Sequence, residues 1–420
     1  MIIQEKKKHI INKQNVTLKK NISWSLIGNI IYALSQFGIL VGINKFGNVQ
    51  MVGQYGLGLA ITAPLYKFLN MQLSTVQASD SKNEYTFRQY FQTRFFSSLI
   101  GLIILAIFCM MDFISVETRL AIFLIGLSKF IETISDVIYG LMQKEENIGL
   151  IALSKVLRGV TSVLLFSILL KLTHNLIFAI VGICISWIIV LLAFDCLQLK
   201  KLLNKLSVKK PVKNLSIKNL IILSLPLGFA GTIDLLNVNL PRYIIQIKLN
   251  ENELGYFVSI AYLMVAGGML IDSVAISIIP RLSKLYITNL DEFKALVKKL
   301  VLFGATIGGL GLVISLLMGD FILTFLYNDA YTGYNSLLNV IMLGSAFWYI
   351  AGFLNSALSA ARIFGVQLKI FIITFLIVFL TSLVLIPHMG ILGAGLSLCI
   401  GMFTRMILTA STLMHRVKRN

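Results

Sequence analysis

The chain has 420 residues, of which 57% are apolar and 13% charged, with a formal net charge of +19. Soluble domains run near ~45–50% apolar and ~25% charged, so too few charges are left to coat a water-facing surface, and so apolar a chain is not disordered either. A soluble protein and a disordered one are both excluded.

The N-terminal segment, residues 1–22, which begins MIIQEKKKHIINKQNVTLKK, is basic and polar, with no short apolar core or cleavage site behind it. It reads as a retained cytoplasmic tail. A helix needs ~20 apolar residues to cross a bilayer, and that ruler finds twelve spans. In the first half (residues 23–199) they are Ser23 to Ile43, Met51 to Leu73, Phe95 to Met111, Arg119 to Leu141, Ile148 to Leu170 and Leu176 to Leu197. A basic linker, residues 200–219, follows. The second half (220–414) holds Leu220 to Asn239, Leu254 to Ile279, Leu300 to Met318, Leu337 to Leu358, Leu368 to Leu385 and Ile391 to Met414. Residues 415–420 form a second cytoplasmic tail. Cys109, Cys184, Cys196 and Cys399 lie inside or at the ends of these runs, with the spacing of neither a disulfide framework nor a zinc site.

Lysine and arginine set the direction. With the N-terminus in the cytoplasm, most of the 37 cations fall on inner segments, among them Lys67, Arg88, Arg94 and Lys144. The outer loops hold only Lys45, Arg119, Lys171, Arg242 and Lys248. That asymmetry places both termini in the cytoplasm. It also removes nucleic acid as a partner, because the cations are spread over short loops and form no basic face with stacking groups.

The halves echo each other. Asn48, Val52, Gly53 and Tyr55 match Asn250, Leu254, Gly255 and Phe257 at a constant offset of 202 residues, at the start of the second span of each half. Six spans per half with the same starting side imply parallel repeats about an axis along the membrane normal, enclosing a central cavity. Outer loops are short, the longest running from about Gly319 to Leu337. They leave no room for an external catalytic domain. No metal spacing, phosphate loop or nucleophile motif occurs, so neither an enzyme nor a cofactor is expected.

The informative residues are charges inside spans: Lys129, Glu132, Asp136, Lys155, Arg158, Asp234, Asp272 and Arg405. Facing lipid, they would cost about 20 kcal/mol together. They must therefore face water or one another. Lys129, Glu132 and Asp136 share one helix face, as do Lys155, Arg158 and Ser162 on the next span. In an antiparallel hairpin Asp136 meets Lys155 and Glu132 meets Arg158, leaving Lys129 as the surplus cation. The hairpin is either a closed ladder of ion pairs or the polar wall of a cavity. Asp234 and Asp272 are internal counter-ions or candidate coupling-ion acids, and Arg405 lies deep in the last span. Asn29 and Gln36 suit hydrogen bonds between helices.

VGQYGLGLAI, LGYFVSIAYL, IIPRLSKLY and IPHMGILGAGLSLCIG, with the length and the six-plus-six spans, carry a resemblance. The chain resembles the polysaccharide flippases of the multidrug/oligosaccharidyl-lipid/polysaccharide (MOP) exporter superfamily, the O-antigen and capsule repeat-unit translocases. The resemblance implies an all-α polytopic membrane protein with twelve transmembrane helices in two MATE-like six-helix lobes, V-shaped around a central cavity. It further implies translocation of an undecaprenyl-pyrophosphate-linked oligosaccharide across the cytoplasmic membrane. The partners would be that lipid-linked oligosaccharide, membrane lipids and the polymerase and assembly proteins of the pathway. On this resemblance the cavity cations are Lys129, Lys155, Arg158 and Arg405, and the cavity acids Glu132, Asp136, Asp234 and Asp272. The alternative within the fold is a cation-coupled multidrug exporter. Drug-exporting relatives often carry an acid in the first span, where this chain has only Asn29 and Gln36.

Overall fold

The structure is a computed structural model that describes residues 2–80, 84–205, 216–361 and 363–419. Among the described residues there is no strand. Helices α1 (Ile2–Phe46), α2 (Val49–Asn70), α3 (Leu73–Ser79), α4 (Phe87–Cys109), α5 (Val116–Lys144), α6 (Ile148–Thr173), α7 (Leu176–Val190) and α8 (Cys196–Lys205) form the N-lobe. A single π turn, Leu191–Asp195, joins α7 to α8. The C-lobe contains α9 (Ile217–Lys248), α10 (Glu251–Thr288), α11 (Leu290–Leu326), α12 (Asn335–Ala360) and α13 (Phe364–Arg419). Residues 206–215 of the basic linker lie outside the described residues.

Side-chain caps set many of the boundaries. Asn48, Ser115, Asn175, Ser216, Asn250 and Asn289 each accept a bond from a first-turn amide, satisfying donors that a helix start leaves orphaned. The same chemistry corrects the third span. Hydropathy starts it at Phe95, but a capping box between Thr86 and Gln89 starts the helix at Phe87, so the polar run FRQYFQTR is its first two turns.

By length and composition, nine described helices are apolar enough to cross a membrane. The count of twelve segments is recovered by two observations. α13 is broken at Gly390, whose φ of 59° suits glycine, and the chain folds back so that Gly401 lies against Val378 and Thr374. The other two segments, α2 and α5, pack among neighbouring helices, α2 against α5, α9 and α10. A helix surrounded by protein need not be uniformly apolar. The lipid-facing helices have the opposite character. α4 exposes Phe96, Ile100, Ile103, Ile104 and Ile107 along one stripe, while its buried side carries Thr93, Arg94, Ser97 and Ser98. A stripe that is apolar outward and polar inward is what a bilayer selects. The chain is a multi-pass membrane protein.

The two lobes meet most tightly at the end remote from the start of α1, termed distal here. Gly53 on α2 lies against the Glu251 carbonyl and Gly255 on α10 against the Val49 carbonyl, closer than any Cβ would allow. The Glu251 carboxylate accepts bonds from Gln50 (2.9 Å), Gln54 (3.3 Å), Ser115 (3.2 Å) and Thr118 (2.5 Å), all four from the N-lobe. Deeper, Asn44 of α1 donates to Ser259 of α10 at 3.0 Å and accepts from Tyr331 at 2.5 Å. Beneath that layer Phe37 stacks on Tyr262, with ring centroids 6.1 Å apart. α2 and α9 stay in contact along their length, from Tyr243 on the Ala60 carbonyl to Gly228 against Phe68.

Candidate functional site

The embedded charges form separate groups within the two lobes. In the N-lobe, the i, i+3 spacing on α5 brings Lys129 Nζ to 2.8 Å from Glu132 Oε2. Glu132 Oε1 accepts from the Tyr32 hydroxyl of α1 at 2.9 Å. Lys155 of α6 donates to Asn29 Oδ1 at 2.8 Å, so Asn29 is an interhelical partner, as its residue type suggested. Asp136 pairs with Arg94 at 3.0 Å, and the same guanidinium donates to the Asn70 carbonyl at the end of α2.

These partners differ from the hairpin pairing expected from sequence. Glu132 bonds Lys129 rather than Arg158, Asp136 bonds Arg94 rather than Lys155, and Lys129 is not the surplus cation. The reason is helix placement. α6 packs chiefly against α1 and α7 and α5 against α2 and α4; the two touch through Tyr139–Ser154 and Ser135–Arg158, while the acids of α5 turn to other partners. Equal depth does not bring their charges together.

Arg158 has a different environment again. It is 1% exposed and lies 3.2 Å from Asp195 Oδ2. Ser135 and Ser154 donate to the two oxygens of Asp195 at 2.7 and 2.6 Å, and the Tyr139 and Trp187 rings flank the guanidinium at 5.8 and 5.2 Å. This closed network belongs to the N-lobe interior, so Arg158 offers no face to a cavity. Its partner Asp195 was missed because it sits in the last π turn of an otherwise apolar span. Arg94 was counted with the inner-loop cations for a similar reason, since hydropathy began its helix too late.

In the C-lobe, Arg405 of α13 pairs with Asp234 of α9 at 2.6 Å and stacks over Phe371 at 4.6 Å. Their side chains are 4% and 41% exposed, so the acid faces open space and the base faces the lobe. Asp234, Asp272, Trp348, Asn355, Ser359 and Arg405 line a cavity of about 260 Å³. Asp272 remains exposed and makes no ion pair among the described residues. Asn237, beside Asp234, is buried and donates to the Phe371 carbonyl, which ties α9 to α13. No group of three or more His, Cys, Asp or Glu among the described residues could hold a metal ion.

Arg242, assigned to an outer loop from sequence, lies inside α9 and is only 5% exposed. Pro226 and Pro241 both sit within α9.

The architecture and chemistry have counterparts. The polysaccharide biosynthesis protein family matches residues 18–286. The capsular polysaccharide biosynthesis protein CapF of Staphylococcus aureus is 31% identical over 390 residues, covering 92% of this chain and 97% of that protein. Among solved structures, a MATE transporter in complex with MaD5 superposes with a TM-score of 0.71 at 14% identity, covering 96% of both chains. An inward-facing multidrug resistance MATE family transporter of the MOP superfamily gives 0.70 at 12% identity, covering 92% of this chain and 95% of that one. The structural likenesses establish the fold: two six-helix lobes of the MATE type.

Proposed function

Because the chain belongs to the polysaccharide biosynthesis protein family of MOP-type transporters, we propose that it is a flippase for lipid-linked oligosaccharides. It carries undecaprenyl-pyrophosphate-linked repeat units from the inner to the outer leaflet of the cytoplasmic membrane by alternating access. Both termini are cytoplasmic, and the distal end faces outward. In this reading the distal closure of Gly53, Gly255 and Glu251 is the outer gate.

The observation that carries the reading is the placement of Lys129 and Lys155. Both are half-buried in the N-lobe, and Lys155 is held by a neutral amide rather than a carboxylate. An amide bond leaves a full positive charge for an incoming anion. Sugars and a pyrophosphate cannot enter hydrocarbon without losing many kcal/mol of hydration. A wet wall bearing cations offsets that loss, while the polyprenyl tail stays in the bilayer. Two negative charges moving outward gain ~4.6 kcal/mol per 100 mV of inside-negative potential.

The test is a deletion strain rescued by this chain. Surface polysaccharide restored by the wild type, and lost with Lys129→Ala plus Lys155→Ala at equal protein level, supports the reading. Full rescue by the double variant contradicts it. A second reading, a cation-coupled exporter of small molecules, is favoured by the exposed Asp272 beside the Asp234–Arg405 pair. Sodium- or proton-dependent drug efflux that fails in Asp272→Asn, with surface glycan unaffected, selects it instead.

A further inference from the structure

Four arginines are buried within the lobes, and three are matched by a carboxylate: Arg94 by Asp136, Arg158 by Asp195, Arg405 by Asp234. Arg242 is the exception among the described residues. It donates from Nη1 to Asn239 Oδ1 at 3.0 Å and makes no ion pair, while its Nε lacks a partner, as it does in the other three.

Its position gives this defect a meaning. Tyr243, the next residue, donates to the Ala60 carbonyl of the N-lobe, and Tyr262 stacks on Phe37 of the N-lobe. Arg242 therefore lies close to the junction of the lobes, six residues in from the distal end of α9, about 9 Å at 1.5 Å per residue. Along α9 it is eight residues outward of Asp234, about 12 Å at 1.5 Å per residue. A buried guanidinium without a counter-ion is a strongly disfavoured arrangement. It becomes favourable when an anion arrives, and a planar fork of donors suits a phosphate.

We propose that Arg242 is an anion subsite beneath the outer gate, and that its occupation by the phosphate groups of the substrate releases that gate. The inference rests on the flippase reading above. In the closed arrangement the residue is 5% exposed, out of reach of a hydrated diphosphate. An anion therefore binds better once Tyr262 and Phe37 have separated, and a ligand shifts an equilibrium toward the state it binds better. Without an anion, Asn44, Ser259, Tyr331 and the Glu251 carboxylate hold the gate shut. Lys129 and Lys155 attract the substrate at entry; Arg242 couples its arrival further out to opening.

The experiment uses the full chain in lipid nanodiscs, with the native cysteines replaced and spin labels at Lys45→Cys and Lys248→Cys. Both positions are exposed, one at the distal end of each lobe. Inorganic pyrophosphate is the probe, and pulsed electron–electron resonance reads the separation. Millimolar pyrophosphate is expected to raise the long-distance population several-fold in the wild type and not in R242Q. R242K, a point charge in place of a fork, is expected to respond with at least several-fold weaker apparent affinity. Thermal unfolding establishes which variants are folded, and R242K carries the test should R242Q not fold. A full response in folded R242Q, or an unaltered apparent affinity in R242K, overturns the proposal. So does a wild type that does not respond; the flippase reading is then judged separately by whether the same chain still restores surface polysaccharide.

Discussion

Gly53 and Gly255, 202 positions apart in sequence, are reciprocal partners in space: each presses on the backbone carbonyl four residues before the other, at Glu251 and at Val49. The positions that betray the internal repeat are thus the ones at which the repeats touch. A side chain at either glycine must push the distal ends of α2 and α10 apart. Gly255→Leu is expected to disfavour the distal-closed arrangement by ~1–3 kcal/mol, about 5- to 150-fold in population. Oxidative cross-linking of Gln50→Cys with Glu251→Cys reads this: the yield should fall sharply with Gly255→Leu, and an unchanged yield counts against the contact.

The Arg158–Asp195 pair should behave as a structural element. Removing one partner strands a buried charge, so Arg158→Ala is expected to cost ~3–5 kcal/mol and lower the melting temperature. Replacing both together, Arg158→Met with Asp195→Leu, should recover most of that loss. Surface polysaccharide should follow the amount of folded protein in each case. Loss of export in a fully stable double variant would show that the pair acts on substrate.

Lys129 makes the opposite prediction. Its side chain is 22% exposed, and Tyr32 continues to hold Glu132 without it. Lys129→Ala should leave the folding stability within about 1 kcal/mol of wild type, typical of a partly exposed pair. Export of polysaccharide should nevertheless fall, with recovery in Lys129→Arg. Equal loss in Ala and Arg variants would assign Lys129 a packing role.

The C-lobe pair is unequal, because Arg405 is 4% exposed and Asp234 41%. Deleting the acid leaves a buried cation unmatched, whereas deleting the base leaves an acid that water still reaches. Asp234→Asn should therefore destabilise more than Arg405→Gln. Thermal unfolding of the two purified variants compares them directly, and the reverse order would contradict the burial seen here.

Much of this protein was legible from hydropathy and charge alone. The six-plus-six division follows from the spans, and the repeat centred on Gly53 and Gly255 from the constant offset of 202 residues. What escaped was lateral: which helix neighbours which. Reasoning along the α5–α6 hairpin assigned Arg158 to Glu132, because sequence adjacency was taken for spatial adjacency. The true neighbours, α1 for α6 and α4 for α5, are set by packing among non-consecutive helices. Asp195, Arg94 and Arg242 were displaced for a second reason. Each lies near the end of an apolar run, where hydropathy cannot separate a buried, hydrogen-bonded charge from one that has reached water.

The most direct measurement is reconstitution. The purified chain, placed in liposomes with a polyprenyl-pyrophosphate-linked oligosaccharide, is assayed for the leaflet on which the glycan becomes accessible to an added glycosidase. Wild-type protein should accelerate exposure of glycan initially on the inner leaflet, faster under an inside-negative voltage, and Lys129→Ala with Lys155→Ala should abolish the acceleration. Folded wild-type protein that leaves the spontaneous rate unchanged, with and without voltage, would contradict the account.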